Sequence, residues 1–222
     1  MIYSMTFVAA VNSDYTLRMN LMKSPPLQGD HPHQVIITRG AKSAAEVYNA
    51  GLEQATNPIV VFLHQDVYLP ERWPEDFQQA WTEAEAKFGK IGVAGAYGLG
   101  GHLEAGKGTG AERTGRIMSH GKWLKEKRPL PAKVDTLDEL LLALPRDTAL
   151  RFDARLGFHL YGCDIAMQAN AAGLVAAVLP TLCHHNNFTQ FPLSGEFSES
   201  MKIFREKWKH RVPVHTPCTA IR

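Results

Sequence analysis

Residues 59–70, Ile-Val-Val-Phe-Leu-His-Gln-Asp-Val-Tyr-Leu-Pro, constrain the fold of this chain more than any other stretch. Five consecutive apolar residues, rich in β-branched types, run straight into the polar triplet His64-Gln65-Asp66. So short and so apolar a run reads as a strand buried on both faces, which implies a parallel sheet with helices on either side. In open sheets of that kind, ligands bind just beyond the carboxyl ends of the strands. His64, Gln65 and Asp66 stand at such an end. A carboxylate and an imidazole there suit a divalent cation, and a cation there can hold a diphosphate.

The rest of the chain supports such a sheet. Residues 6–11 read as a first buried strand ending in Asn12-Ser13-Asp14, good turn and N-cap residues. A short helix over 15–22 is stopped by Pro25-Pro26, and a second strand follows over 34–38. Ser43 and Glu46 form a capping box for a helix that runs to about Ala55, where Asn57-Pro58 ends it. After the 59–69 strand, Pro70-Glu71 opens a long helix to about Phe88, and residues 92–96 form another short strand. This alternation predicts a doubly wound α/β domain.

Seven glycines between Gly98 and Gly115 then break all periodicity, and the region from Gly98 to Gly121 is expected to be a long mobile loop serving as a lid. Residues 134–144 regain strand character with Asp135, Asp138 and Glu139 interleaved. A helix over 162–172, a last strand over 174–179 and an amphipathic helix over 194–210 complete a single domain spanning 1–210. Residues 211–222, with Pro213 and Pro217, are expected to form an extended tail.

At 222 residues the chain can bury a sizeable core, and a net charge of +2 is too small to argue for nucleic acid or an anionic membrane as partner; neither is expected. Lys107, Arg113, Arg116, Lys122, Lys125, Lys127 and Arg128 make a locally basic stretch, either a solvated loop or the wall of an acidic-ligand site. The three cysteines, Cys163, Cys183 and Cys218, are odd in number and lack metal-ligand spacing, as reduced thiols would. No apolar run has membrane-span length and the first residues do not resemble a secretory signal. The expectation is a cytoplasmic protein.

Several blocks in order carry a resemblance: the helix Ser43-Ala44-Ala45-Glu46-Val47-Tyr48-Asn49-Ala50-Gly51; the His64-Gln65-Asp66 strand; Gly92-Val93-Ala94-Gly95; Val134-Asp135-Thr136-Leu137-Asp138; Phe152-Asp153; Gly157-Phe158-His159-Leu160-Tyr161; a late histidine; and Lys207-Trp208. On these residues the chain resembles the nucleotide-sugar glycosyltransferases of the GT-A fold. It looks closest to a family 2-like group related to a streptomycin-biosynthesis protein. The resemblance covers almost the whole chain. It implies an α/β fold with a doubly wound, mostly parallel mixed sheet. It also implies transfer of a sugar from a nucleoside-diphosphate donor, with inversion, to an acceptor such as a glycan, lipid-linked sugar or small metabolite.

In the resembled enzymes an Asp-x-Asp motif holds Mn2+ or Mg2+. Here His64 replaces the first carboxylate and Asp66 keeps the last, which favours Mn2+, since an imidazole suits it better. Asp66 either ligates the ion or caps the turn. A late histidine joins the same ion in related enzymes; of the adjacent His184 and His185, only one can face it from an extended segment, and His184 is the first candidate. The family 2 base lies in a Glu-Asp pair that opens the acceptor helix. Laid on that motif, Tyr161 and Gly162 occupy the pair, which leaves Asp164 or His159 as candidate base. Asn12, Arg39, Lys42, Asn49, Gln65, Asp135 and Asp138 are the donor-side candidates. Two rivals stand beside this reading. One is a non-catalytic nucleotide-sugar binding protein, on the strength of Gly162. The other is a nucleotidyltransferase, disfavoured because Asn12-Ser13-Asp14-Tyr15 stands where a glycine-rich, lysine-bearing loop belongs.

Overall fold

The computed structural model describes residues 4–101, 111–119, 121–124, 128–186 and 195–222. Its centre is a seven-stranded mixed sheet built from β1 (Thr6–Val11), β2 (Gln34–Arg39), β3 (Ile59–His64), β4 (Ile91–Gly95), β5 (Ala132–Lys133), β6 (Leu141–Pro145) and β7 (Val175–Val178), in the spatial order β5-β7-β4-β6-β3-β1-β2. Strand β1 runs parallel to both β2 and β3, and β7 runs parallel to β4, whereas β6 is antiparallel to its neighbours β3 and β4. The GT-A expectation of a mixed, helix-flanked sheet is met.

Alternation along the strands explains why they are apolar throughout. Phe7, Ala9, Val11, Val61 and Leu63 face one core, where helix α3 (Trp73–Phe88) packs Trp73, Phe77 and Trp81. Val8, Val60 and Phe62 face the other, formed with helix α2 (Ala44–Gln54) and helix α4 (Tyr161–Ala171). Ser43 caps α2 by accepting the Glu46 N–H at 3.3 Å, as the capping-box spacing requires. A short helix α1 (Asp14–Met19), capped by Ser13, follows β1 directly.

Three expectations are corrected. The described part of the glycine-rich region is β structure: Tyr97–Gly100 is a fully buried strand paired antiparallel with Glu112–Gly115, and Ile117–Ser119 pairs with Lys122–Trp123. Pairing buries the strand backbone that composition assigns to a loop; residues 102–110, 120 and 125–127, with Lys107, Lys125 and Lys127, lie outside the described residues. The expected 134–144 strand is broken at Asp138-Glu139. Thr136–Leu137 pairs with Tyr97–Gly100, while β6 joins β3 and β4, so the chain changes sheets at those two carboxylates.

The tail is not an extended arm. Val214–His215 and Ala220–Ile221 form a hairpin whose Val214 and Ile221 are buried with Leu160, Cys163, Phe204 and Trp208 beneath helix α5 (Gly195–Lys207). Apolar side chains at its two ends fold it back.

Gly51 lets α2 lie close on β1: a Cβ there would stand 2.5 Å from Val8 Cγ1. Gly51→Ala should therefore destabilise the protein by about 1–3 kcal/mol in urea unfolding, and Val8→Ala in the same chain should recover part of that loss.

Candidate functional site

The carboxyl ends of β1 and β3 are pinned together by Gln65. Its Oε1 accepts the backbone N–H groups of Asn12 (3.1 Å) and Ser13 (3.0 Å), and its amide nitrogen donates to Asn12 Oδ1. Between these ends lies a cavity of about 150 Å3 lined by Ala10, Val11, Asn12, Ala41, His64, Gln65, Asp66 and Phe158. The parallel register of β1 and β3 (Ala10 opposite His64) brings both ends to one level, so the cavity occupies the place that open sheets give to ligands.

On the rim, His64, Asp66 and His185 each direct a ligating atom to one point, with those atoms within 4.8 Å of one another. Asp66 Oδ1 and His185 Nε2 stand 3.4 Å apart, both shielded from solvent and both without an aligned hydrogen-bond partner among the described residues. Two buried, complementary orphan atoms are costly unless something joins them. An ion with bonds of about 2.1 Å spaces adjacent ligands by about 3.0–3.4 Å, and the Asp66–His185 spacing matches that, with His64 close by. His64 Nε2 lies 3.0 Å from the Tyr161 hydroxyl, which in turn donates to the Glu139 carbonyl (3.5 Å).

Burial pushes the His64 pKa down, and the neighbouring His185 adds to this against the pull of Asp66. Burial opposes ionisation of Asp66 too, but the approach of His185 and the charge of both imidazoles hold its carboxyl below the usual range. His185 is lifted above an ordinary imidazole because the Asp66 contact outweighs burial. Asp138 acts on both histidines, which places it within electrostatic reach of the cluster.

The expectation of His184 as the late ligand is corrected to His185. Residues Cys183–His185 form a strand between Val67–Tyr68 and Ile117–Ser119, and that pairing fixes which histidine faces Asp66. His184 turns the other way, its ring against Tyr68 at 5.6 Å. Asn12, Gln65 and Asp66 are brought to the cavity as expected. Arg39 is held by Asp14 at 2.8 Å and Lys42 is exposed; Ala41 between them reaches the cavity instead. Asn49 is committed elsewhere: its amide donates to the Phe152 carbonyl and accepts the Phe152 N–H, tying α2 to the chain before α4. Asp135 lines a separate cavity of about 240 Å3 with Arg128, Lys133 and Arg211, away from His64.

Asp164 is no base. It is fully buried, with Oδ1 accepting Trp208 Nε1–H at 2.8 Å and Oδ2 accepting Gln168 (2.7 Å) and Lys207 (2.9 Å). Both carboxylate oxygens are thus held by protein groups. His159 is half-buried, its pKa lowered by burial and its ring against Phe197 at 5.5 Å. Together with Asp138 and Glu139 it lines a small cavity of about 50 Å3. Sequence reasoning missed Glu139, Tyr161 and Phe158 as parts of this region. The adjacency of two carboxylates, Asp138-Glu139, was the available signal.

Asp164→Asn should leave ligand binding intact but strand the Lys207 charge. We expect a loss of about 3 kcal/mol in denaturant unfolding, the low end for breaking a buried pair because Lys207 keeps Asp153 at 3.2 Å.

Known proteins share this architecture. S. aureus TarS residues 1–349 superimpose with a TM-score of 0.53 at 12% identity, over 92% of this chain and 65% of that one. GalNAc-T7, solved with UDP, GalNAc and Mn2+, gives a TM-score of 0.60 at 9% identity over 94% of this chain and 48% of that one. At those identities the likeness is one of fold. In sequence, a Fuscovulum blasticum protein described as ATP synthase subunits region ORF 6 is 30% identical over 130 residues, 57% of this chain and 50% of that protein. The chain thus spans about half the length of the curated relative it matches. The family model described as "Glycosyltransferase like family" matches residues 7–207, nearly the whole sheet with its helices, and the chain belongs to that family.

Proposed function

We propose that the protein is a metal-assisted, inverting glycosyltransferase that draws its sugar from a UDP-linked donor. The observation that carries this reading is the convergence of His64, Asp66 and His185 beside the cavity at the ends of β1 and β3. Family membership supports the reaction class, and TarS and GalNAc-T7, which share the fold, were both solved with UDP. The acceptor is a hydroxyl on a glycan, lipid-linked sugar or small metabolite.

In this reading Asp66 and His185 hold the ion with His64. The Tyr161 hydroxyl fixes the His64 ring by accepting Nε2–H, which leaves the other ring nitrogen as ligand. Two imidazoles among three donors favour Mn2+ over Mg2+. The ion supplies charge neutralisation for the departing diphosphate. Asn12 and Gln65 form one wall of the nucleotide slot, and Phe158 offers an aromatic face to it. The cysteines of the described residues are all free, which fits a reducing, cytoplasmic setting, and no helix among those residues is long and apolar enough to cross a membrane.

A second reading, a donor-binding protein without turnover, is favoured by one observation: the acid nearest the family's base position, Asp164, is sequestered. Release of UDP from a sugar donor separates the two.

Calorimetric titration with UDP tests the common core. Binding should require Mn2+ and should weaken at least tenfold in Asp66→Ala and His185→Ala, with His184→Ala near wild type. Failure of UDP to bind in the presence of Mn2+ would sink the donor reading. Since ligation needs the neutral imidazole and His185 holds its proton more tightly than usual, Mn2+ affinity should fall as the pH drops below neutral, earlier than an unshifted histidine requires. His185→Ala should flatten that dependence.

A further inference from the structure

Helix α4 begins in an unusual way. Its N-cap is Leu160, at φ 61° and ψ 4°, the one non-glycine residue with positive φ among the described residues. That conformation costs a leucine about 1–2 kcal/mol, and its side chain offers no cap. The N–H end of the helix, at Leu160, Tyr161 and Gly162, faces Glu139, which arrives from the sheet-switching turn between Thr136–Leu137 and β6, and those N–H groups favour the ionised carboxylate. Gly162 is what lets that turn come so close: a Cβ there would stand 2.9 Å from the Leu137 carbonyl oxygen and 3.0 Å from Glu139 Cγ. The residue that counted against catalysis in the sequence therefore makes room for a carboxylate from another element.

The strained segment also links the two cavities. Phe158 lines the donor cavity, and the next residue, His159, lines the 50 Å3 cavity together with Asp138 and Glu139. That volume admits a hydroxyl group or a few waters, since one water needs about 10–15 Å3 of such space. Tyr161 bridges the same two places, contacting His64 on one side and the Glu139 carbonyl on the other.

We propose that Glu139 is the general base of the transfer, and that the small cavity seats the acceptor hydroxyl. The inference rests on the donor site proposed above. In the step, the acceptor O–H bond breaks and its proton passes to the Glu139 carboxylate. The acceptor oxygen bonds to the anomeric carbon as the anomeric C–O bond to the diphosphate breaks, and UDP leaves with that electron pair. With water as acceptor the products are free sugar and UDP.

Burial and the adjacent Asp138 push the Glu139 pKa up to about 8, against the three N–H groups. The other titratable groups around it are Tyr161 and Cys163 on α4, His159 before it, Cys218 on the C-terminal hairpin and Tyr48 on α2. A base must be ionised, so the rate should rise with pH and level off above about 8.

The test measures UDP release from UDP-glucose, UDP-N-acetylglucosamine and UDP-N-acetylgalactosamine with Mn2+ and water as acceptor, beside UDP affinity. Glu139→Gln keeps an oxygen for the helix N–H groups but cannot take a proton. It should bind UDP within twofold of wild type, lose about a hundredfold in release and lose the rising pH limb, with Glu139→Asp intermediate. Unchanged release in Glu139→Gln overturns the inference, as does loss of UDP affinity, which would make Glu139 a structural cap. A wild-type protein that binds UDP but releases none from any donor overturns it alone and leaves a binding protein. A wild-type protein that does not bind UDP removes the donor reading with it.

Discussion

Asp164 makes the interaction on which the end of the molecule that carries the candidate site depends. A carboxylate with no solvent contact is tolerable only when charge and hydrogen bonds surround it. Here Lys207, Trp208 and Gln168 do so. Two of the three come from α5 and its end, so this one residue fastens the C-terminal helix to α4. With α4 fixed, its first turn is fixed, and from that turn Tyr161 reaches His64 and Gly162 lies beside Glu139. The C-terminal hairpin closes over the same joint through Val214 and Ile221, and Thr136 donates to the His215 carbonyl at 2.8 Å. Structure far from His64, Asp66 and His185 thus sets their surroundings.

The sheet was legible because local pattern decides it. Five apolar residues ending in His64-Gln65-Asp66 can hardly be anything but a strand buried on both faces with a polar rim, and Ser43 with Glu46 marks a helix start by spacing alone. Where the reading went wrong, a partner distant in sequence decides. His184 and His185 are equivalent until the strands at 67–68 and 117–119 fix the register. Asp164 looks like a free acid in a first helical turn until Lys207, 43 residues on, meets it. Asn49 looks like a cleft residue until the Phe152 backbone claims both ends of its amide. The glycine-rich region misled in the opposite sense: glycines there permit close pairing, as at Gly98, where a Cβ would stand 2.4 Å from the Thr136 carbonyl oxygen.

The fold is shared with proteins only 9–12% identical, so it is the packing of layers that persists while the polar residues vary. The candidate metal cluster places histidines at two of three positions. Gly162 at the start of α4 goes with a glutamate brought beside it from the sheet. In the proposed reading both changes would keep a function by moving the element that supplies it.

The three ligands do not belong to one element. His64 and Asp66 end a strand of the large sheet, whereas His185 lies on a separate four-stranded sheet with Val67–Tyr68, Ile117–Ser119 and Lys122–Trp123. An ion held among them is a cross-brace between two sheets, and its binding energy adds to the cohesion of the whole domain. Each tenfold rise of free metal above its dissociation constant then deepens the folded state by about 1.4 kcal/mol. With the proposed ion bound, the metal supply of the cell would become part of the protein's folding stability as well as of its chemistry.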